Sequence, residues 1–277
     1  MSAYDEIKFR GLTLRGVAQG GIQTSLRVPE LKVMFDIGSS SRGGFRYDRL
    51  LLSHGHQDHA GALFYVISQR GMLGKGPLTV HLPAEILGPM RRILAAWSEI
   101  EGFDLKVDWR PQKPGETFKI ADKLYATGLR TTHRVPSLAY LIERRSRRLK
   151  EEFKGLAGAE IGRLKQEGVQ ITDPVITPLL CVTGDTQIEF FLNHASARRC
   201  QVLVHEVTAW DDRRSVEQMR RWGHTHVDEV IEHAEKFEGE ALVLVHRSMR
   251  HTKAEAERIV RERFPASVRD RVFVFGG

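Results

Sequence analysis

Cysteine is scarce in this 277-residue chain: there are two, Cys181 and Cys200, each inside an apolar run. Their spacing fits no cysteine-type metal site and offers no disulfide framework, so they read as buried, reduced thiols. Long hydrophobic runs are missing as well. None exceeds five or six residues, far short of the ~20 that a membrane-spanning helix requires. The first ten residues, Met1 to Arg10, hold no apolar signal-type segment, and the expected location is the cytoplasm, with no membrane partner. No internal repeat or low-complexity linker divides the chain, so a single domain over 1–277 is expected. What is present is an ordinary globular balance, 41% hydrophobic and 28% charged, long enough to bury a substantial core. Lys and Arg number 42 against 35 Asp and Glu, a net charge of +7. That excess suits a polyanionic partner such as nucleic acid without identifying one.

Short apolar runs alternate with helical stretches, which predicts an α/β fold. The runs share a feature at their ends. Lys32-Val-Met-Phe-Asp36 closes on an acid and Arg49-Leu-Leu-Leu-Ser-His54 on a histidine. Leu179-Leu-Cys-Val-Thr-Gly-Asp185, Val202-Leu-Val-His205-Glu206 and Leu242-Val-Leu-Val-His246 do likewise. Strand ends present side chains from rigid positions, so five such strands would gather sequence-distant groups along one rim. Helices are predicted over 60–70, 85–97, 215–221, 226–237 and 252–263, the last two opened by capping boxes Thr225-x-x-Asp228 and Thr252-x-x-Glu255. Residues 143–172 differ in character. They carry Arg144, Arg145, Arg147, Arg148, Lys150 and Lys154 with few apolar anchors, and read as a basic arm inserted into the domain, a solvated helix face being the plainer alternative.

The strongest chemical signal is His54-Gly-His56-Gln-Asp58-His59, four ligand-type residues within six positions between an apolar strand and a helix start. Imidazoles and carboxylates are the donors preferred by zinc and related divalent ions. With Gly61 following, this H-x-H-x-D-H pattern resembles the signature of the metallo-β-lactamase superfamily, which implies an αββα sandwich with metals at the sheet edge. That resemblance implies His133, Asp185 and His246 as the remaining ligands. One ion would then sit among His54, His56, His133 and Asp185, and a second among Asp58, His59, His246 and the shared Asp185. Two divalent ions, Zn2+ first and Mn2+ as the alternative, would generate hydroxide near neutral pH and clamp a phosphodiester, and would equally polarise a carbonyl or thioester.

The surrounding motifs narrow the substrate. Val204-His205-Glu206-Val207-Thr208, Gly223-His224-Thr225-His226 and His246-Arg-Ser248-Met-Arg250 resemble the accessory motifs of ribonuclease Z, the endonuclease family that removes 3′ trailers from tRNA precursors. The segment Leu149 to Thr172 is similar to the corresponding part of its short, plant-type form, and the resemblance runs from Gly11 to the final Val-Phe-Val-Phe. It implies that His224 protonates the leaving 3′ oxygen or stabilises its charge, that Glu206 orients His224, and that Asp58 ligates the second metal and positions or deprotonates the attacking water. Thr225, Ser248 and Arg250 become candidate phosphate contacts, and because His224 precedes a capped helix, a phosphate there would meet free backbone N–H groups and the positive helix end. A tRNA precursor bound by the basic arm and a homodimer with one subunit's arm serving the other's site are further implications. The chain departs from the family where His251 replaces a tyrosine after Arg250 and where Ala139 replaces a glycine before Tyr140. His226, His233 and His251 are assigned no chemistry. The four tryptophans read as packing, with Trp210, beside the catalytic loop, the one to consider for base stacking. Two other functions use the same residues: hydrolysis of a small phosphodiester, thioester or lactone, and RNA binding without catalysis.

Overall fold

A computed structural model of the chain describes residues 4–39 and 43–276. Residues 1–3, part of the amino-terminal segment read for an export signal, lie outside them. Among the described residues no helix is long and apolar enough to cross a membrane.

Two sheets stack face to face. The first holds β1 (Asp5–Phe9), β2 (Leu12–Gly20), β3 (Gln23–Val28), β4 (Val33–Phe35), β5 (Arg49–Leu51), β6 (Leu78–Pro83) and β7 (Val107–Gln112) in sequence order. The second holds β8 (Thr117–Ala121), β9 (Leu124–Arg130), β10 (Leu138–Leu149), β11 (Thr172–Val182), β12 (Val202–Glu206) and β13 (Ala241–Val245). The two-residue β14 (Arg247–Ser248) returns to pair with β2, and β15 (Val272–Val274) closes the second sheet beside β13.

The period-2 pattern of the strands explains the layering. Val33 and Phe35 of β4 join Val202 and Val204 of β12 and Val243 of β13 between the sheets. Met34 and Leu50 face outward instead, against Leu63, Val66 and Ile67 of the helix Leu63–Met72. On the far side, Leu203, Leu242 and Leu244 pack against Val230 of the helix Val227–His233 and Val260 of the helix Lys253–Arg263. The result is an αββα sandwich with three apolar layers. Each fully buried aliphatic side chain contributes about 1.5–3 kcal/mol.

β4 to β7 run parallel, as do β11, β12, β13 and β15. Asp36, His54, Asp185, Glu206 and His246 therefore stand at carboxyl ends of strands, the rim expected from the sequence. His133 lies in the turn between β9 and the antiparallel β10, at the same end.

The basic arm is a strand pair, and this corrects the helix-face alternative. β10 and β11 stay paired from Tyr140↔Val182 to Leu149↔Thr172, with a register shift between Ile142 and Glu143, where the buried part ends. Beyond that shift both strands are largely exposed, so the arm's return limb reaches Pro178 rather than ending at 172. A short helix, Gly158–Gln166, caps its tip. The helix expected at 60–70 starts as a separate turn, Gln57–Ala60, and the one expected to 237 ends at His233 before a 3-10 turn.

Candidate active site

Seven side chains named from the sequence converge on two groups of ligand atoms. One is of His54, His56, His133 and Asp185 and one of Asp58, His59 and His246, with Asp185 also close to His59 and His246 of the second. Oδ2 of Asp185 lies 3.6 Å from His54 Nε2 and 3.9 Å from His133 Nε2, and His56 Nδ1 is 3.0 and 3.4 Å from those nitrogens. Oδ1 of Asp185 lies 3.2 Å from His59 Nε2 and 3.3 Å from His246 Nε2, with Asp58 Oδ2 at 3.6 and 3.4 Å from them. Four ligands around zinc at its usual bond lengths stand about 3.3 Å apart, so both groups have the right span.

Hydrogen bonds made by the outward nitrogens fix what the inward ones offer. His59 Nδ1–H donates to Asp36 Oδ2 at 2.7 Å. Ser53 Oγ donates to the same oxygen at 2.8 Å, which leaves it to accept from His54 Nδ1–H at 2.9 Å. His133 Nδ1–H donates to the Gly223 carbonyl at 2.8 Å, and His246 Nδ1–H to Thr208 Oγ1 at 3.0 Å. When neutral, each of these four rings has an unprotonated Nε2 aimed inward, beside the carboxylates of Asp58 and Asp185. Those four nitrogens and the two carboxylates are then all acceptors, and a divalent cation would satisfy them together. Buried His59 Nε2 and Asp185 Oδ1 have no hydrogen-bond partner, which fits that requirement. In the second group the fields are strong: burial disfavours charge on His59, yet Asp185 and Asp36 raise its pKa well above the usual value. Burial likewise works against ionised Asp185, but His246, His59 and His54 hold its pKa well below the usual range. Burial lowers the pKa of His54 and keeps that ring neutral, as a ligand must be.

Glu206 is the hub of the neighbouring network. Its buried carboxylate accepts from His224 Nδ1–H at 2.8 Å and from the Thr186 and Thr225 amides at 3.2 and 3.3 Å. Its second oxygen accepts from Thr208 Oγ1 at 2.9 Å, so one acid orients His224 directly and His246 through Thr208. Burial would lower the pKa of His224, but the Glu206 carboxylate and its hydrogen bond, with Asp185 behind, raise it to about 9. His224 also lies within reach of Asp185 and His246. A ring protonated at neutral pH can donate a proton from Nε2.

Close packing holds these loops in place. Gly38 passes so near the Asp58 carbonyl that a Cβ would lie 1.8 Å from its oxygen. Gly223 adopts φ 78° after the helix Val216–Trp222, and a Cβ there would come within 2.8 Å of His133 Nδ1. Asp36 and His246 both turn through positive φ, 55° and 63°, a conformation that L side chains adopt rarely outside special sites.

Two expectations need correction. The cap of the helix Val227–His233 is His226 with Glu229, one residue beyond the predicted Thr225 and Asp228. Thr225 is fully buried and its hydroxyl donates to the Thr186 carbonyl at 2.8 Å, so it has nothing to offer a phosphate. The amides that were to meet an anion are also occupied: His224 by Met219, Thr225 by Glu206, His226 by Glu229 and Val227 by Ala209. Ser248 and Arg250, by contrast, line a cavity of about 570 Å3 that opens over His56, His224 and His246. Trp210 is buried, its Nε1 donating to the Val207 carbonyl, whereas Trp222 lines the cavity. His205 points away from the rim, toward Phe190 and Phe191, and donates to the Glu206 carbonyl. His251 is a framework residue, accepting from the Trp210 amide and facing Arg213.

Sequence reasoning assigned no role to Asp36, Ser53 or Thr208, the residues that orient the ligands. Asp36 carried a signal, as the acid ending the first of the five strands. Ser53 and Thr208 carried none beyond adjacency to a motif.

In the arm, Arg145 stacks over Tyr125 and pairs with Glu143, and Arg147 donates to Thr172 Oγ1. Lys150 and Lys154 pair with Glu152 and Glu151. Arg144 and Arg148, exposed on the other face, have no partner among the described residues.

Comparison with known proteins agrees with this geometry. No protein-family model matches the chain. The chain is 36% identical over 269 residues to tRNase Z TRZ1 of Arabidopsis thaliana, covering 96% of each protein. It is 30% identical over 256 residues to tRNase Z TRZ2, chloroplastic, of the same plant, covering 92% of this chain and 72% of that protein. Among solved structures, the metallo-β-lactamase fold protein YhfI of Bacillus subtilis superposes with a TM-score of 0.62 at 14% identity over 94% of each chain. Human tRNase Z, short form, superposes at 0.55 with 13% identity, over 99% of this chain and 90% of that one. These two show the shared fold. The chain belongs to the ribonuclease Z family, metal-dependent endonucleases of the metallo-β-lactamase superfamily.

Proposed function

We propose that the protein is a zinc-dependent endoribonuclease that cuts tRNA precursors at their 3′ end and leaves a 3′-hydroxyl on the tRNA. The observation that carries this reading is the Glu206–His224 pair, a proton donor held beside the acceptor-only cluster under one cavity. Ions bound there would supply hydroxide near neutral pH and stabilise charge on the phosphoryl oxygens. Asp58, tethered by the Gly21 amide at 2.9 Å, would orient or deprotonate the attacking water. His224 donates its proton to the departing 3′ oxygen as the P–O3′ bond breaks, and Glu206 keeps its other nitrogen bonded throughout. Ser248 and Arg250 on the cavity wall contact phosphate. Three imidazoles and one carboxylate in the first group favour zinc, while the second group, with two carboxylates, tolerates manganese better.

The arm supports the partner and the assembly. β10 leaves the rim at Leu138 and runs away from it to Leu149, roughly 35–40 Å at the usual rise per residue. Arg144 and Arg148 thus lie far from their own subunit's cavity, so they hold the body of a tRNA whose acceptor end enters a second subunit. Tyr65, Met72, Ile93, Trp97 and Ile100, exposed on the outer helices, would supply an apolar face for that pairing. Protein loaded with zinc or manganese and given a 3′-extended tRNA yields one principal cut beside the acceptor end. No cleavage with either ion, alongside rapid turnover of a thioester or lactone, would assign the site to a small substrate.

A further inference from the structure

The wall of the active-site cavity contains a group of side chains that the hydrolytic chemistry leaves unused. Trp222 ends the helix Val216–Trp222, is 36% exposed and lines the cavity. The guanidinium of Arg214 lies over its ring, 5.3 Å from the centroid, and Arg214 Nε is buried without a hydrogen-bond partner. Arg134, next to the ligand His133, lines the same wall and has no partner among the described residues. Arg213 is different: it is committed to Asp211, to the Arg250 carbonyl and to His251. The wall therefore offers two flat, stacked groups and two guanidiniums with donors to spare.

We infer that Trp222, Arg214 and Arg134 form a subsite for the nucleobase of the nucleotide whose 3′ oxygen leaves. The assignment rests on the endonuclease reading above. Only Gly223 separates Trp222 from His224, and its φ of 78° turns the chain so that both side chains face one cavity. The group that receives the proton from His224 is the 3′ oxygen, so the sugar and base attached to that oxygen must lie beside His224. The cavity, about 570 Å3, lies within the range of roughly 300–1,000 Å3 usual for pockets that hold a small molecule. A flat indole with a stacked guanidinium matches a base face rather than a phosphate, and the free guanidinium donors reach base edges or the adjoining backbone. Stacking tolerates any base, because each has a π-face. The subsite therefore positions the last nucleotide of the product without selecting its identity.

The test pairs enzyme variants with precursors that carry, at the last nucleotide before the cut, each of the four bases or an abasic sugar. The unaltered protein should cut the four bases with similar kcat/KM and the abasic precursor roughly 5- to 150-fold less well, the range for loss of one base–aromatic stack. Trp222→Leu should lose a comparable factor on normal precursors and show no further loss on the abasic one, while Trp222→Phe retains most of the rate. Arg214→Met gives the same coupling independently, should Trp222→Leu fold poorly by thermal melting. The inference is overturned if both variants remain as sensitive to base removal as the unaltered protein. It is also overturned if the sensitivity follows an abasic sugar at the first trailer nucleotide. Failure of the unaltered protein to cut the normal precursor would instead sink the endonuclease reading, and the subsite with it.

Discussion

Asp36→Asn is a change of one atom that should separate the two ion-binding groups. Asp36 Oδ2 accepts from His59 Nδ1–H at 2.7 Å and from Ser53 Oγ at 2.8 Å, and Oδ1 accepts from the Ser53 amide at 2.7 Å. All three neighbours donate, so a carboxylate satisfies each of them and an amide cannot. With the asparagine oxygen toward the Ser53 amide, its NH2 group opposes His59 Nδ1–H. The ring must then carry its proton on Nε2, the atom it offers to the ion, or turn away. With the amide reversed, two donors collide at the Ser53 N–H inside a buried site. Removing such an outer partner costs about 10- to 100-fold in metal affinity, or about 1.4–2.8 kcal/mol. The loss should fall on the group containing His59, since the other group feels Asp36 only through Ser53 and His54. Dialysis against graded zinc buffers followed by metal counting reads this directly. The unaltered chain should hold two ions, and Asp36→Asn should release the second at zinc concentrations about 10- to 100-fold higher than the unaltered chain requires to lose it. Ser53→Ala, which removes only the hydroxyl facing His54, should weaken the first ion instead. Two ions bound by Asp36→Asn with unchanged affinity would refute the claim that Asp36 sets the His59 tautomer.

Other consequences follow from the same contacts. His224 must carry its proton to act, so activity should fall as pH rises through its pKa of about 9. Glu206 raises that pKa, so Glu206→Gln should move the alkaline limb to lower pH and depress kcat at neutrality; an unmoved limb would remove Glu206 from this role. Replacing Arg144 and Arg148 together by alanine should raise KM for the precursor without moving the cut. The salt dependence should flatten by about one unit of slope for each phosphate no longer neutralised by an arginine; an unchanged slope would take these two arginines off the RNA. Trp97, 43% exposed on the outer helix face, should be central to self-association. Trp97→Glu should convert a dimer to a monomer in sedimentation, and a mass unaffected by the change would place the interface elsewhere.

Much of the site was legible because its chemistry is local in sequence or repeated at strand ends. His54 to His59 is one loop, and Asp185, Glu206 and His246 each close an apolar run that the sandwich buries on both faces. The outer shell was not legible. Ser53, Thr208 and the Gly223 carbonyl act through contacts between segments distant in sequence, and their residue types occur everywhere. The Thr225 reading failed for a physical reason: Glu206 takes its amide, and the helix starts one residue later, capped by His226 and Glu229. The arm was legible as a basic insertion but its secondary structure was not: β10 and β11 continue their ladder past the core, where backbone pairing rather than apolar burial sustains the strands. Trp222 read as packing, and its place on the cavity wall follows from the turn at Gly223, which the sequence did not reveal.

The most direct test of the central claim is end-group analysis of the products from a 3′-extended tRNA, on protein whose bound metal is counted in the same sample. The account predicts one cut beside the acceptor end, a 3′-hydroxyl on the tRNA, a 5′-phosphate on the trailer, and loss of cutting when the metal is stripped. A cyclic or 3′-phosphate on the tRNA with a 5′-hydroxyl on the trailer would place the broken bond on the other side of phosphorus, away from His224. That result, or cutting that survives complete metal removal, would contradict it.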